Sequence, residues 1–92
     1  MQHPNQLPIP GSAFNDPKAL EMLRVWAGGG AQLVSINANL WEDPANWGIM
    51  LVDLANHIAN AYAQKGGLSK EDALQRIRLG FDAEWNHPTD QI

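Results

Sequence analysis

The chain has 92 residues, carries a formal net charge of -4, and is 45% hydrophobic and 17% charged, with no cysteine. Such a composition fits one small globular domain and excludes disulfides, thiolate metal sites and a cysteine nucleophile. Acidic charge without a basic patch argues against nucleic acid and membrane surfaces as partners, no stretch is apolar enough to span a bilayer, and no secretory pattern opens the chain, so a cytoplasmic protein without a cofactor is expected.

Residues 1–6 are polar and are expected to form a disordered tail. Leu7-Pro8-Ile9-Pro10 then alternates large apolar residues with proline. That pattern fits an apolar arm laid over the core, which is favoured, or an edge strand whose prolines block further pairing. Asp16-Pro17 repeats a cap followed by proline and predicts a turn of helix over Pro17 to Leu20.

Between Glu21 and Leu40 the favoured reading is a β-hairpin. Gln32, Val34, Ile36, Ala38 and Leu40 alternate with Leu33, Ser35, Asn37 and Asn39, the two-residue period of a half-buried strand. Leu23, Val25 and Ala27 alternate with Met22, Arg24 and Trp26, and Gly28-Gly29-Gly30 is expected as a three-residue loop between the runs. A competing reading carries a helix from Pro17 to Ala27 and caps it at Gly28.

Trp41 to Lys65 contains the central helix. Asp43 can accept from the first free backbone NH groups, Pro44 suits the first helical position, and Gly66-Gly67 after Lys65 marks the end. Trp47, Met50, Leu51, Leu54, Ile58, Ala61 and Tyr62 fall on one broad apolar face, expected to lie on the sheet. Gly48, Ile49, Val52, Ala55, Ala59 and Ala63 make a small-residue flank, expected to meet another helix. A second long helix follows from Ser69, whose pairing with Asp72 resembles a capping box. Leu74, Ile77, Phe81 and Trp85 form its predicted buried stripe, Arg78 and Asp82 are four apart, and Gly80 suggests that a helix comes close there.

These elements define an α+β fold in which a β-hairpin, with or without an N-terminal edge segment, packs on two α-helices. The domain is placed at 7–88, with tails at 1–6 and 89–92. The motifs WEDPANWGIML, HIANAY and DAEWNHPTD, in a pattern running from Leu7 onward, resemble a family of short bacterial proteins of unknown function. The resemblance implies a small α+β protein and supplies no activity, cofactor or catalytic residue.

Three constellations of polar residues have a chemical and a structural reading. Asp53, His57, Asn60 and Gln64 share a polar strip on the central helix, where Asp53 and His57 could hold a metal or orient an imidazole; a solvated face is favoured. Trp41, Glu42, Asp43 and Trp47 make an acidic, aromatic corner that serves capping and packing, or recognises a basic partner. Ser35, Asn37 and Asn39 line a strand face, but no nucleophile elbow accompanies Ser35. No catalytic or metal residue is assigned; the candidate interaction surface is Trp41, Glu42, Asp43, Asp53, His57 and Asn60.

The favoured function is a non-enzymatic structural or protein-interaction module. The alternative is a small ligand-binding or enzymatic domain using the Asp53/His57 strip, which would place His57 at the base of a concave pocket. A homodimer is also expected, because a lone hairpin leaves strand edges open and the central helix has more apolar circumference than one hairpin and one helix cover. Ile49, Val52, Ala59 and Ala63 are the residues expected to meet a second copy.

Overall fold

The computed structural model describes residues 2–89. Its elements are α1 (Gly11–Phe14), β1 (Leu23–Gly28), β2 (Ala31–Ile36), α2 (Ala45–Lys65) and α3 (Lys70–Asn86), an α+β chain of one β-hairpin and helices. Met1 and residues 90–92, and with them most of the tail placed at 89–92, lie outside the described residues.

Strands β1 and β2 pair antiparallel, with Leu23 opposite Ile36, Val25 opposite Val34, Trp26 opposite Leu33 and Gly28 opposite Ala31. The turn therefore has two residues, not three. Gly29 and Gly30 take φ of 60° and 74°, as a two-residue turn demands if it is to follow the twist of its strands, and glycine does so without steric cost. Gly28 is thereby released to pair as the last residue of β1. A continuous helix to Ala27 is ruled out by the same pairing. Beyond Ile36 the Asn37 NH still donates to the Met22 carbonyl at 3.0 Å. The Asn37 side chain then accepts from the Asn39 NH at 3.2 Å and turns the chain, so β2 stops short of Leu40.

Upstream of the hairpin, the helical turn forms earlier than predicted. The Pro10 carbonyl accepts from the NH groups of Ala13 and Phe14 and starts α1, whereas the Asp16-Pro17 signal makes a tight turn closed by the Ala19 NH on the Asp16 carbonyl. Asp16 supports that turn through its carboxylate, which accepts from the Lys18 NH at 2.9 Å. The same side-chain chemistry serves a helix start and a turn, so a short segment can go either way. Leu7–Pro10 is an arm and not a strand, since the sheet has two strands among the described residues. Near the start, His3 lies edge-on to Trp26 with ring centroids 5.0 Å apart.

Helix α2 begins as its sequence demands. The Asp43 carboxylate accepts from the Ala45 NH at 3.0 Å, and Pro44 already has helical dihedrals, φ -58° and ψ -18°. At the other end the Gly66 NH bonds to the carbonyls of Tyr62 and Ala63 with φ at 93°, a left-handed conformation that ends the helix. A short Gly66–Ser69 connection turns the chain into α3. There Ser69 accepts from the Asp72 NH at 3.1 Å, and Arg78 pairs with Asp82 at 2.9 Å one turn on.

Packing is concentrated at one place. Ala59 of α2 is fully buried and Ala73 of α3 is 3% exposed, and these two alanines are the buried hydrophobic residues among those described. The small-residue flank of α2 thus meets α3 as expected. Small side chains let the two backbones approach, and Ala55 and Ala63 beside Ala59, with Leu74 and Ile77 beside Ala73, are half-buried around the contact. Ala59 is consequently spent within the chain and is withdrawn from the residues expected to meet a second copy. Burial fades beyond Ile77: Phe81 and Trp85 stack on each other, centroids 5.6 Å apart, and Trp85 stays 76% exposed. Gly80 has no neighbour within 4 Å of where a Cβ would sit, so no helix comes close there.

The β-hairpin and the helix pair are not in close backbone contact among the described residues. They border instead a shared concavity of about 800 Å³.

Candidate interaction surface

The surface of this chain is unusual for how much aliphatic material it shows. On α2 the face expected to lie on the sheet is open, with Leu51, Leu54, Ile58 and Tyr62 exposed, and Ile49 and Val52 are exposed beside it. Exposure along the helix runs from 38% at Leu54 to 64% at Ile49. Contiguous apolar surface of this kind is uncommon on monomeric soluble proteins.

The hairpin presents the second half of that surface. Opposed residues in an antiparallel pair point to the same side, so the register puts Leu23, Val25, Ile36 and Val34 on one face. Val25, Val34 and Ile36 are exposed. The opposite face carries Arg24, Ser35, Trp26 and Leu33, with His3 against Trp26. Arg24 is paired there with Glu21, and hydrogen bonding from the guanidinium holds the Glu21 carboxyl below its usual range. One hairpin face is therefore wholly uncharged, and the other carries an ion pair and a histidine.

Between the layers, the concavity is walled by the arm at Leu7 and Ile9, by β1 at Leu23 and Val25, and by α2 at Met50 and Leu54. Its apolar lining joins the arm residues to side chains of β1 and α2, elements expected from sequence to pack directly on each other.

The polar candidates are scattered by comparison. Trp41 and Trp47 form an edge-to-face pair at the start of α2, centroids 5.1 Å apart, and Asp43 beside them is engaged in the helix start. Glu42 is exposed. Asp53, His57 and Asn60 lie exposed along α2, with no hydrogen bond or ion pair joining Asp53 to His57 among the described residues. His57 is not at the base of the concavity. Ser35 sits on the hairpin, away from that strip. Among the described residues no group of three or more histidine or carboxylate side chains is placed to hold a metal ion. The residues that sequence reasoning missed are the hairpin quartet of half-buried Leu23 and exposed Val25, Val34 and Ile36; their alternation was legible, but the openness of that face was not.

Comparison with known proteins places the chain. The family model described as Domain of unknown function (DUF5076) matches residues 6–89. The chain belongs to the DUF5076 family. No curated protein matches it. Among solved structures, that of a protein described as "putative pyruvate dehydrogenase" from the photosynthetic bacterium Rhodopseudomonas palustrus CGA009 is 36% identical, with a TM-score of 0.71, over 100% of this chain and 94% of that one.

For this DUF5076 chain the exposed area can be set against its size. A compact monomer of 10.1 kDa exposes about 5,300 Å². This chain exposes 8119 Å². Its radius of gyration, 15.2 Å, likewise exceeds the roughly 12 Å of a compact domain of this length. The DUF5076 chain alone is an open arrangement of two hairpins, one of strands and one of helices. No helix in it is long and apolar enough to cross a membrane among the described residues.

Proposed function

We propose that this DUF5076 chain is a non-enzymatic structural or protein-interaction module, working in the cytoplasm, whose fold is completed by a second copy of itself. One observation carries the reading: the excess of roughly 2,800 Å² over a compact monomer of this mass, in a chain that leaves Val25, Val34 and Ile36 of the hairpin and Leu51, Leu54 and Ile58 of α2 exposed. Given up by each of two chains, that area sums to about 5,600 Å², the upper end of the class of obligate homodimer interfaces, about 2,000 to 5,000 Å² or more in total. A second copy is the favoured occupant because isologous two-fold pairing is the commonest way to close a self-complementary apolar surface.

The test is molar mass. Light scattering after size exclusion at micromolar concentration is expected to give twice the 10.1 kDa chain mass, and the urea midpoint is expected to rise with protein concentration, as it must when folding and association are linked. A chain that stays at 10.1 kDa with a concentration-independent, cooperative midpoint would overturn the proposal.

The description of the Rhodopseudomonas protein favours a second reading, an enzymatic or ligand-binding domain. In this chain the polar strip of Asp53, His57 and Asn60 would have to supply it, and that strip is exposed along one helix and does not line the concavity between arm, β1 and α2. Titration calorimetry with pyruvate separates the readings. Saturable heat that is lost in His57→Ala would favour the enzyme; the module reading expects none.

A further inference from the structure

We propose that the second copy is held by reciprocal exchange, in which the uncharged face of each β-hairpin, Leu23, Val25, Val34 and Ile36, seats on the other chain's α2 at Ile58 and its apolar neighbours. The inference rests on the dimer reading above and deepens it by naming which surfaces meet.

Its starting point is that the two faces do not meet within one chain. The hairpin and α2 border a common concavity only as far as Leu54, while Ile58 and Tyr62 continue the same apolar stripe beyond it, exposed. Val34 and Ile36, on the strand away from the arm, are exposed too. Each face thus lacks a cover that its own chain does not provide.

Dimensions and charge then match the two faces to each other. A two-stranded ribbon with strands about 4.8 Å apart is about as wide as an α-helix. Six residues of strand extend roughly 20 Å, and the stretch from Leu51 to Tyr62 rises roughly 17 Å, so the lengths agree as well. The hairpin face carries no charged residue, since β1 and β2 offer Leu23, Val25 and Ala27 with Gln32, Val34 and Ile36; on α2 the Lys65 ammonium lies over the Tyr62 ring, 5.0 Å from its centroid, at the far end of the stripe. This hairpin face therefore brings no ion of its own into the contact, whereas the reverse side of the hairpin would bury Arg24 with its partner Glu21.

Symmetry favours exchange over like-on-like pairing. Under a two-fold axis a contact of hairpin with helix occurs twice, and so covers all four faces with one kind of interface. Pairing helix with helix and hairpin with hairpin would need two different interfaces, both lying on the same axis.

The absence of cysteine makes the test clean. Val34→Cys and Ile58→Cys are made separately and together, with Ile36→Cys and Leu51→Cys as a second pair should one variant fail to fold, and treated with a short bismaleimide. Exchange expects the mixed single variants to give a cross-linked pair whose linked peptides contain positions 34 and 58, and the double variant to give covalent dimers. Cross-links of Ile58→Cys only with itself would show helix on helix and overturn the exchange while leaving the dimer intact. Cross-links confined within one double-variant chain, or none in material that scatters as a dimer, would overturn it equally. A monomeric mass for the unmodified chain would instead bring down the dimer reading itself.

Discussion

The helix pair and the β-hairpin solve the same problem to different degrees. Both are antiparallel hairpins of sequence neighbours closed by glycine-containing turns, yet among the described residues the buried side chains, Ala59 and Ala73, lie in the helix pair, while the hairpin reaches half-burial at Leu23 and Trp26. The reason lies in side-chain size. Alanines let two helix axes come close, so a narrow contact suffices, while the valines, leucines and isoleucines of the hairpin and of the open face of α2 need a broad partner surface to be covered. Small residues thus complete a local contact, and the large ones of these two faces stay largely open.

The largest effect should come from crowding the one contact that is complete. Ala59→Leu places three more carbons where no space is left, and urea unfolding is expected to lose about 1 to 3 kcal/mol. The equivalent change at an exposed position of the same helix, Ala61→Leu, should cost far less; equal losses would erase the contrast between the two faces of α2. Next comes Ser69→Ala, which removes the acceptor of the Asp72 NH at the start of α3 and is expected to cost about 1 kcal/mol. Helix content by circular dichroism should fall with it.

A gain of stability sharpens the comparison from the other side. Gly80 lies in mid-helix with open space where a Cβ would go, so Gly80→Ala should add about 0.5 to 1 kcal/mol. A loss instead would reveal that a second copy approaches α3 at that point. The smallest effect concerns acid. Because Arg24 lowers the Glu21 carboxyl from its ordinary 4.5, the stability this pair contributes is present above that value and is lost as pH falls through the lower folded value. Wild type and Glu21→Gln are expected to differ slightly at neutral pH, to converge in acid, and to converge also in high salt, since both groups are at the surface.

Much of the local structure was legible in the sequence, and for identifiable reasons. Asp43-Pro44, Ser69 and Gly66 act through groups within a few residues of themselves, so their chemistry could be read without the fold. The hairpin period and the small flank of α2 were likewise legible. Gly28 was misplaced because three glycines in a row permit a two- or a three-residue turn, and only the register decides. Asp16-Pro17 misled because an Asx turn and a helix start share their first hydrogen bond. The open face of α2 was recognised as apolar but given the wrong cover. Face width says that something must lie against Leu54 and Ile58; it does not say whether that surface belongs to the same chain. The solvated face favoured for the polar strip was legible too, since Asp53, His57 and Asn60 are exposed, but whether Asp53 and His57 touch depends on rotamers that the period does not set.

The nearness in sequence of the strands and of the helices that pair has a kinetic consequence. Strands β1 and β2 are closed by two residues and α2 and α3 by four, so each hairpin forms at little cost in loop-closure entropy and at the rate of an elementary event, on the order of microseconds. Nothing distant in the chain has to be found first. What remains after those fast events is the joining of preformed halves, and in a dimer that step is bimolecular. Refolding followed by tryptophan fluorescence should then separate into a fast phase indifferent to dilution and a slower one that lengthens with it.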